Sequence, residues 1–275
     1  MSSRDSAAPK FPLRLDRLTG TPGAAPASVL RPQRPLHDAA VARSRAAVPA
    51  GLGLDSHGVR ERLLERLRAE GLVDPRVLAA MRAVPRHAFV DTALANQAYE
   101  DTSLPIGLGQ TISKPSVVAR MIELMLAPHA PQSRLRLLEI GTGCGYQAAV
   151  LAQLSRQVVS IERLKPLHDK ARGNLAALRL DNLRLVYGDG RLGHAPNAPY
   201  DGIIAAAGGH DIPPAWTEQL APGGRLVAPM HDGGEGGQVL VVIDRLADGS
   251  LRRSMHEAVR FVPLKSGIED RKSTL

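Results

Sequence analysis

The sequence is poor in cysteine, in aromatic residues and in long apolar runs, and each shortage excludes or disfavours a class of protein. A single cysteine, Cys144, among 275 residues excludes an intramolecular disulfide and a zinc site built from several cysteines. No stretch of about 18 apolar residues is present, so no transmembrane helix is expected. Aromatic residues make up 3% of the chain, which disfavours RNA recognition by base stacking. The nine histidines show no metal-motif spacing, so no metal is expected.

The formal net charge of +8 is concentrated near the N-terminus. Residues 1–50 hold eight lysines and arginines against three aspartates, a net charge of +5, and the rest of the chain carries +3. The stretch Thr21–Pro35 has no apolar period, so residues 1–55 are expected to form a disordered basic tail. An arm for nucleic acid or a membrane is the alternative, and Asp5 and Asp16 disfavour a transit peptide. Without a secretory signal, the chain is expected in the cytoplasm.

Periodic structure is expected from residue 56 onwards. Residues 56–130 are predicted to form a helical cap and a substrate loop, and Asp74-Pro75 is typical of a helix start. In residues 131–275, short apolar runs alternate with helix-like segments, and the series ends with a run at Ala258–Val262. This alternation predicts an α/β fold, a doubly wound, mostly parallel Rossmann-like sheet with helices on both faces. Ligands of such sheets bind beyond the carboxyl ends of the strands.

The strongest local signal is the glycine-rich segment Leu138–Tyr146, which begins in a predicted strand. Gly141 and Gly143 let the backbone turn sharply and approach a ligand closely. A dinucleotide fingerprint would need glycine where the chain has Tyr146, and the chain has no Gly-Lys-Ser/Thr of a phosphate-binding loop. Glu139, just before the turn, would repel a pyrophosphate but suits a cation. The segment therefore favours S-adenosylmethionine, which carries a sulfonium and no phosphate, as the cofactor.

Two acids follow later strands of the same predicted sheet. Glu162 ends the second strand, seventeen residues beyond Gly145, where a carboxylate can accept both ribose hydroxyls. Asp189 follows the third strand and can accept from an adenine amino group, and its neighbour Gly190 is included in the predicted cofactor site. Each acid could instead cap a helix or lie in a solvated loop. The ordered set of glycine turn and two acids predicts a cofactor site more strongly than any member does.

Five segments resemble the conserved elements of one enzyme family and occur in that family's order: Ala83–Val90, Leu104–Ser113, Leu138–Tyr146, Gly188–Gly190 and Val259–Leu264. Over about residues 57–270 the chain resembles the protein-L-isoaspartate O-methyltransferase family, and Leu104–Ser113 is the most diagnostic of the five. The resemblance implies methyl transfer from S-adenosylmethionine to the free carboxylate of L-isoaspartyl residues in damaged proteins or peptides. It further implies that the methyl ester cyclises to a succinimide, which hydrolyses partly to normal aspartate.

The resemblance also implies roles for individual residues. Ser113 corresponds to the family's active-site residue, Thr111 is expected near the cofactor, and Val259–Pro263 is expected to hold the substrate backbone. Because a carboxylate is already ionised at neutral pH, methyl transfer needs no general base, and Ser113 is interpreted as a hydrogen-bond donor that orients it. Since Lys114-Pro115 begins a helix-like run, Ser113 could instead be an N-cap. Cys144 has no activating base nearby in sequence and is not expected to be a nucleophile.

The basic tail and one internal segment depart from the family pattern, and two other functions stay open. Ala207–His210 stands where the family commonly has Ala-Pro, and its glycines are expected to loosen a substrate-side loop. The nearest alternative is an S-adenosylmethionine-dependent methyltransferase for a small molecule or RNA. The other is an inactive cofactor-binding or RNA-binding module directed by the tail. The chain is expected to be a monomer without a nucleic-acid partner.

Overall fold

The computed structural model describes residues 57–231 and 237–269, and its central element is a seven-stranded β-sheet. The strand order is β5-β4-β3-β6-β7-β8-β9, and the first five strands in that order run parallel. A separate hairpin of β1 and β2 precedes the sheet in the chain. The expected α/β fold with a mostly parallel sheet is confirmed. The strands are β1 (Leu104–Gly107), β2 (Gln110–Ile112), β3 (Arg136–Ile140), β4 (Gln157–Glu162), β5 (Leu183–Tyr187), β6 (Tyr200–Ala205), β7 (Leu220–His231), β8 (Gln238–Arg245) and β9 (Leu251–Val259).

Six α-helices flank this sheet in the described residues, and most of them lie on one face. The buried side chains of the first five pack in the same cluster as Leu137 of β3, whereas Leu138 points to the other face. That second face is covered in part by Trp216. Alternate residues of a strand point to opposite faces, so a sheet covered on both sides needs continuous apolar runs. The helices are α1 (His57–Ala69), α2 (Pro75–Ala83), α3 (Pro115–Leu126), α4 (Tyr146–Ala152), α5 (Lys165–Ala176) and α6 (Pro214–Glu218).

The first two helices form the expected N-terminal helical cap. Asp74 caps α2 by accepting from the backbone N–H of Arg76 at 2.8 Å, and Pro75 stands at the first helical position. The carboxylate of Glu123 on α3 accepts from the backbone N–H groups of Val73 and Asp74 at 2.8 and 2.9 Å. These bonds satisfy donors that a helix start leaves unpaired, and they attach the cap to α3.

The C-terminal part of the sheet differs from the sequence expectation. Strands β7, β8 and β9 pair antiparallel, and β9 spans Leu251–Val259 rather than the predicted Ala258–Val262. The apolar pattern misses this strand because β9 is an edge strand whose residues are mostly exposed and polar. A turn at Asp248-Gly249, in which Gly249 has φ +84°, joins β8 to β9. An Asp-Gly pair between two strands is a hairpin signal that the sequence does contain.

The basic tail expected over residues 1–55 lies outside the described residues. Among residues 57–231 and 237–269, no helix combines the length and the apolar character needed to cross a lipid bilayer.

Candidate active site

A cavity of about 850 Å³ lies at the carboxyl ends of β3 and β4, next to the end of β6. After β5 the chain crosses back to form β6, which pairs with β3 on the side away from β4. The strand order reverses at this point, and such sheets bind ligands at the carboxyl ends of the strands where the order reverses. The walls come from the β1–β2 hairpin, the glycine turn after β3, the end of β4 and the C-terminal segment. The lining includes six predicted site residues: Thr111, Ser113, Gly141, Gly143, Glu162 and Gly190.

The glycine turn connects β3 to α4 and forms the floor of the cavity. The backbone N–H groups of Gly141 and Thr142 donate to the carbonyl of Ile161 at 2.9 and 3.2 Å, which attaches the turn to β4. At Gly145 the backbone has φ +94°, and a Cβ there would lie 2.9 Å from a side-chain carbon of Leu175. Only glycine meets both demands, so Gly145 is required for packing against α5, and the predicted approach of the turn to a ligand stays a prediction.

Glu162 links the glycine turn to the beginning of the next helix. One carboxylate oxygen accepts from the N–H of Gly143 at 2.9 Å, and the other accepts from the N–H of Leu164 at 2.9 Å. Burial raises the pKa of Glu162, and hydrogen bonds from backbone N–H groups, first that of Leu164, oppose the rise. Each oxygen keeps further acceptor capacity toward the cavity. The predicted contact with ribose hydroxyls stays a prediction.

Glu139 lies behind the glycine turn and does not belong to the cavity lining. It is fully buried, and the hydroxyl of Ser160 donates to one carboxyl oxygen and lies 2.6 Å from the hydroxyl of Thr142. The other oxygen has no hydrogen-bond partner in the described part of the chain. Burial raises the pKa of Glu139 to about 8, and the nearby carboxylate of Glu162 adds to the rise. The carboxyl is therefore mainly neutral at pH 7, and its predicted cofactor contact stays a prediction.

Asp189 caps a short 3₁₀ helix, Gly190–Leu192, and also contacts the C-terminal segment. One carboxylate oxygen accepts from the N–H of Arg191 at 2.9 Å and the other from the N–H of Gly267 at 2.6 Å. The side chain lies outside the cavity lining, whereas Gly190 belongs to it. A Cβ on Gly190 would lie 2.5 Å from a methyl carbon of Ile140, so glycine is required there by packing. The capping alternative is realised, and the predicted adenine contact stays a prediction.

Ser113 and Thr111 reach the cavity from the β1–β2 hairpin. In its register Leu104 pairs with Ile112, and Ser113 follows directly after β2. The hydroxyl of Ser113 makes no hydrogen bond to any residue that the structure describes, and the N-terminus of α3 is capped instead by Asp101, which accepts from the N–H of Ser116 at 2.8 Å. Ser113 is therefore not the N-cap of α3, and its hydroxyl is available to a ligand in the cavity.

The site contains no activated cysteine nucleophile and, in the described residues, no cluster of metal-binding side chains. Cys144 lines the cavity but is buried, and burial raises the pKa of its thiol to about 11. A thiol with that pKa is protonated at neutral pH and is a poor nucleophile. Over residues 57–231 and 237–269, no group of three or more His, Cys, Asp or Glu side chains is positioned to hold a metal ion. The expectation of a metal-free site stays a prediction.

The C-terminal segment Val262–Glu269 forms a wall of the cavity that extends beyond the segment implied by the sequence. Its Leu264 N–H donates to the carbonyl of Gly208 at 2.7 Å, and Gly208 donates to the carbonyl of Val262 at 2.8 Å. Further on, Glu269 exchanges backbone hydrogen bonds with Arg163 and Lys165 at 2.9 and 3.0 Å. Gly208 is thus bonded on both sides, which does not support the expected loosening. No periodic pattern follows Pro263, so the sequence gives no signal for this wall.

Comparison with known proteins agrees with this geometry. The model of the family described as protein-L-isoaspartate(D-aspartate) O-methyltransferase matches residues 58–269. The chain belongs to this family. A protein-L-isoaspartate O-methyltransferase of Methylibium petroleiphilum is 77% identical over 271 residues, which cover 98% of this chain and 100% of that protein. One from Leptothrix cholodnii is 65% identical over 242 residues, 88% of this chain and 86% of its own length.

Solved structures of the family share the fold. One protein-L-isoaspartate O-methyltransferase has a TM-score of 0.67 at 28% identity, over 76% of this chain and 67% of its own. The Plasmodium falciparum enzyme, solved in complex with S-adenosyl-L-homocysteine, has a TM-score of 0.65 at 25% identity, over 75% of this chain and 98% of its own. Both similarities cover the greater part of the described residues, so the family assignment and the fold agree.

The buried Glu139 predicts a pH-dependent contribution to stability. Folding raises its pKa from 4.5 to about 8, so between these values the unfolded chain loses a proton that the folded chain keeps. The stabilisation that the protonated Glu139 carboxyl gives to the folded chain is complete below pH 4.5 and is lost as the pH rises to about 8. Relative to Glu139→Gln, which cannot titrate, the parent should lose about 2–4 kcal/mol of unfolding free energy across this window. Urea unfolding at several pH values checks this, and parallel profiles for parent and variant would contradict it.

Proposed function

We propose that this chain transfers a methyl group from S-adenosylmethionine to the free carboxylate of L-isoaspartyl residues in damaged proteins or peptides. The observation that carries the proposal is that Ser113 and Thr111 share one cavity with the glycine turn and Glu162, in a chain of this family. The methyl ester then cyclises to a succinimide, and its hydrolysis returns part of the material to normal aspartyl linkage. The reaction thus initiates repair.

The residues present fit the methyl donor. The cavity of about 850 Å³ is within the usual size of a cofactor site, and apolar side chains such as Ile161 and Leu167 offer an apolar surface for an adenine ring. Glu162 would accept from the ribose hydroxyls, and Asp189, whose neighbour Gly190 lines the cavity, would accept from the adenine amino group. Thr111, Gly141, Gly143 and Gly190 line the cavity and complete the proposed donor site, which Glu139 supports from behind the glycine turn. When bound, the donor supplies a methyl group on a positively charged sulfur.

Catalysis then requires that the chain hold the two reactants in line and exclude water. The substrate carboxylate is ionised at neutral pH because carboxyl pKa values lie near 4, so the chain needs no base. Ser113 donates a hydrogen bond to one carboxylate oxygen and leaves the other to receive the methyl group. Correct alignment of reactants alone supplies several kcal/mol. Because opposite charges neutralise each other during transfer, removal of water from the cavity favours the reaction.

Three further properties belong to the proposal. The chain acts as a monomer in the cytoplasm. It divides into a tail, residues 1–55, and a methyltransferase domain, residues 56–275, in which 56–130 form the cap and substrate loop and 131–275 the cofactor-binding core. The buried free thiol of Cys144 suits a reducing compartment. Light scattering should give the mass of one chain, 29.3 kDa, and twice that mass would contradict the monomer.

A labelled-methyl assay tests the function directly. Two peptides of the same sequence, one with an isoaspartyl and one with a normal aspartyl linkage, are supplied with radiolabelled S-adenosylmethionine. We expect kcat/KM to favour the isoaspartyl peptide by at least about tenfold, since the two backbones differ by one methylene in a fitted site. Preference for the normal peptide, or transfer to neither, would overturn the substrate assignment.

Ser113→Ala tests the proposed role of the hydroxyl. Because Ser113 orients the substrate and does not hold the donor, kcat should fall by about 10- to 100-fold while the affinity for S-adenosylhomocysteine changes by less than about threefold. Ser155→Ala is the control, since that hydroxyl donates to the carbonyl of Leu151 outside the cavity, and it should leave kcat unchanged. Equal activity of Ser113→Ala and the parent would refute the role.

Glu162→Gln tests the donor site. An amide cannot accept at both positions, so either the N–H of Gly143 or that of Leu164 loses its partner, and the ribose loses a charged acceptor. The Kd for S-adenosylhomocysteine, measured by calorimetry, should rise by about tenfold or more. Glu123→Gln is the control for loss of a buried carboxylate, because Glu123 accepts from two backbone N–H groups on one oxygen and from Arg120 on the other but lies outside the cavity. It should lower stability and leave Kd within about twofold; an equal rise in both variants would contradict the assignment.

A further inference from the structure

Arg86 is a buried cation that the stability of the fold does not explain. It lies on the 3₁₀ helix Arg86–Phe89, is only 1% exposed, and forms no salt bridge in the described parts of the chain; the carboxylate of Asp101 acts on it only as a nearby charge and is itself bonded to Ser116. Burial lowers the pKa of its guanidinium, and Nε and Nη1 find no hydrogen-bond partner there. An unpaired buried charge costs free energy that an apolar residue of similar size would avoid. The reason for an arginine must therefore be sought in the contacts it does make.

The remaining nitrogen of Arg86 contacts both ends of the hairpin that carries Ser113. Nη2 donates to the carbonyl of Ser113 at 2.8 Å, just after β2, and to the carbonyl of Thr102 at 3.4 Å, just before β1. A hydrogen bond from a charged donor is stronger than a neutral one. One guanidinium group therefore fixes the start and the end of the segment that forms the hairpin wall of the cavity.

The same guanidinium also packs on the residue that follows the glycine turn. Its central carbon lies 4.9 Å from the centroid of the Tyr146 ring, within the range of a cation–π contact. Tyr146 is the first residue of α4, lines the cavity and follows the glycine turn directly. Arg86 thus connects the wall that carries Ser113 to the wall that is proposed to hold the donor.

We propose that Arg86 is a positioning residue for methyl transfer, which clamps the hairpin at Thr102 and Ser113 and so sets the Ser113 hydroxyl against the glycine turn. The inference rests on the proposed function, because only that function gives the hydroxyl a substrate to orient. The carbonyl that Arg86 holds and the hydroxyl that acts belong to the same residue. A displacement of about 1 Å at such a group can lower a rate by about 100-fold.

Arg60 provides a matched control for a purely structural arginine. Its Nη1 donates to the carbonyl of Arg82 at 2.6 Å, and its guanidinium carbon lies 5.8 Å from the ring centroid of Tyr99. Its Nε is also buried without a partner in the described residues. The two arginines therefore make similar contacts, but Arg60 lies on α1 and does not touch the cavity.

The first test separates positioning from general loss of stability. In Arg86→Met, kcat for the isoaspartyl peptide should fall by about 10- to 100-fold, and the Kd for S-adenosylhomocysteine should stay within about threefold of the parent. Arg86→Lys keeps the charge and one hydrogen bond to a carbonyl, and it should recover part of kcat. If the methionine variant does not fold, the lysine variant is compared with the parent instead. Arg60→Met should lower the unfolding midpoint without changing kcat. Parental kcat in a folded Arg86 variant, or an equal loss in Arg60→Met, would overturn the proposal.

The second test asks whether Arg86 acts through Ser113. In the Ser113→Ala background, the same Arg86 substitution should change kcat by less than about twofold, because the hydroxyl it positions is gone. An equal factor in both backgrounds would contradict the clamp.

A third measurement does not depend on activity. Hydrogen exchange of residues 104–113 should be faster in Arg86→Lys than in the parent and unchanged in Arg60→Met. If the parent fails to methylate the isoaspartyl peptide, the proposed function fails while this measurement still tests the clamp. Unchanged exchange in the hairpin would refute it.

Discussion

The carboxylate of Glu162 is the interaction on which the site depends. It accepts from the N–H groups of Gly143 and Leu164, and so holds the glycine turn after β3 against the end of β4. Without that bridge, the turn would keep its backbone bonds to Ile161 but lose its fixed position beside the cavity. The same group is the acceptor proposed for the ribose, so local structure and ligand recognition rest on one side chain. Its burial makes both sets of bonds stronger than they would be in water.

Two of the segments that enclose the cavity, the glycine turn and the Ser113 hairpin, are each held by a buried charged side chain that binds backbone groups. Glu162, an anion, binds N–H groups on the donor side, whereas Arg86, a cation, binds the carbonyls of Ser113 and Thr102 on the substrate side. Backbone groups that are already held in this way lose little further conformational entropy when ligands bind. This suits a reaction that needs alignment rather than acid–base chemistry, because its nucleophile is already ionised.

The parts of the site that the sequence predicted are those with local signals. The glycine turn, Glu162 and the Ser113 hairpin are each marked by residues close together in the chain, and the cavity brings all three together. The state of Glu139 has no local signal, because its burial depends on Ser160 of the neighbouring strand and on the covering helix α4. The wall at Leu264–Glu269 and the polar edge strand β9 were missed because neither shows an apolar period.

The most direct measurement of the central claim is a crystal structure of the chain with S-adenosylhomocysteine and an isoaspartyl peptide. We expect that Glu162 accepts hydrogen bonds from the ribose hydroxyls while it keeps its bonds to Gly143 and Leu164, and that the Ser113 hydroxyl donates to the free carboxylate of the peptide. A ribose bound away from Glu162, or a Ser113 hydroxyl directed out of the cavity, would contradict it.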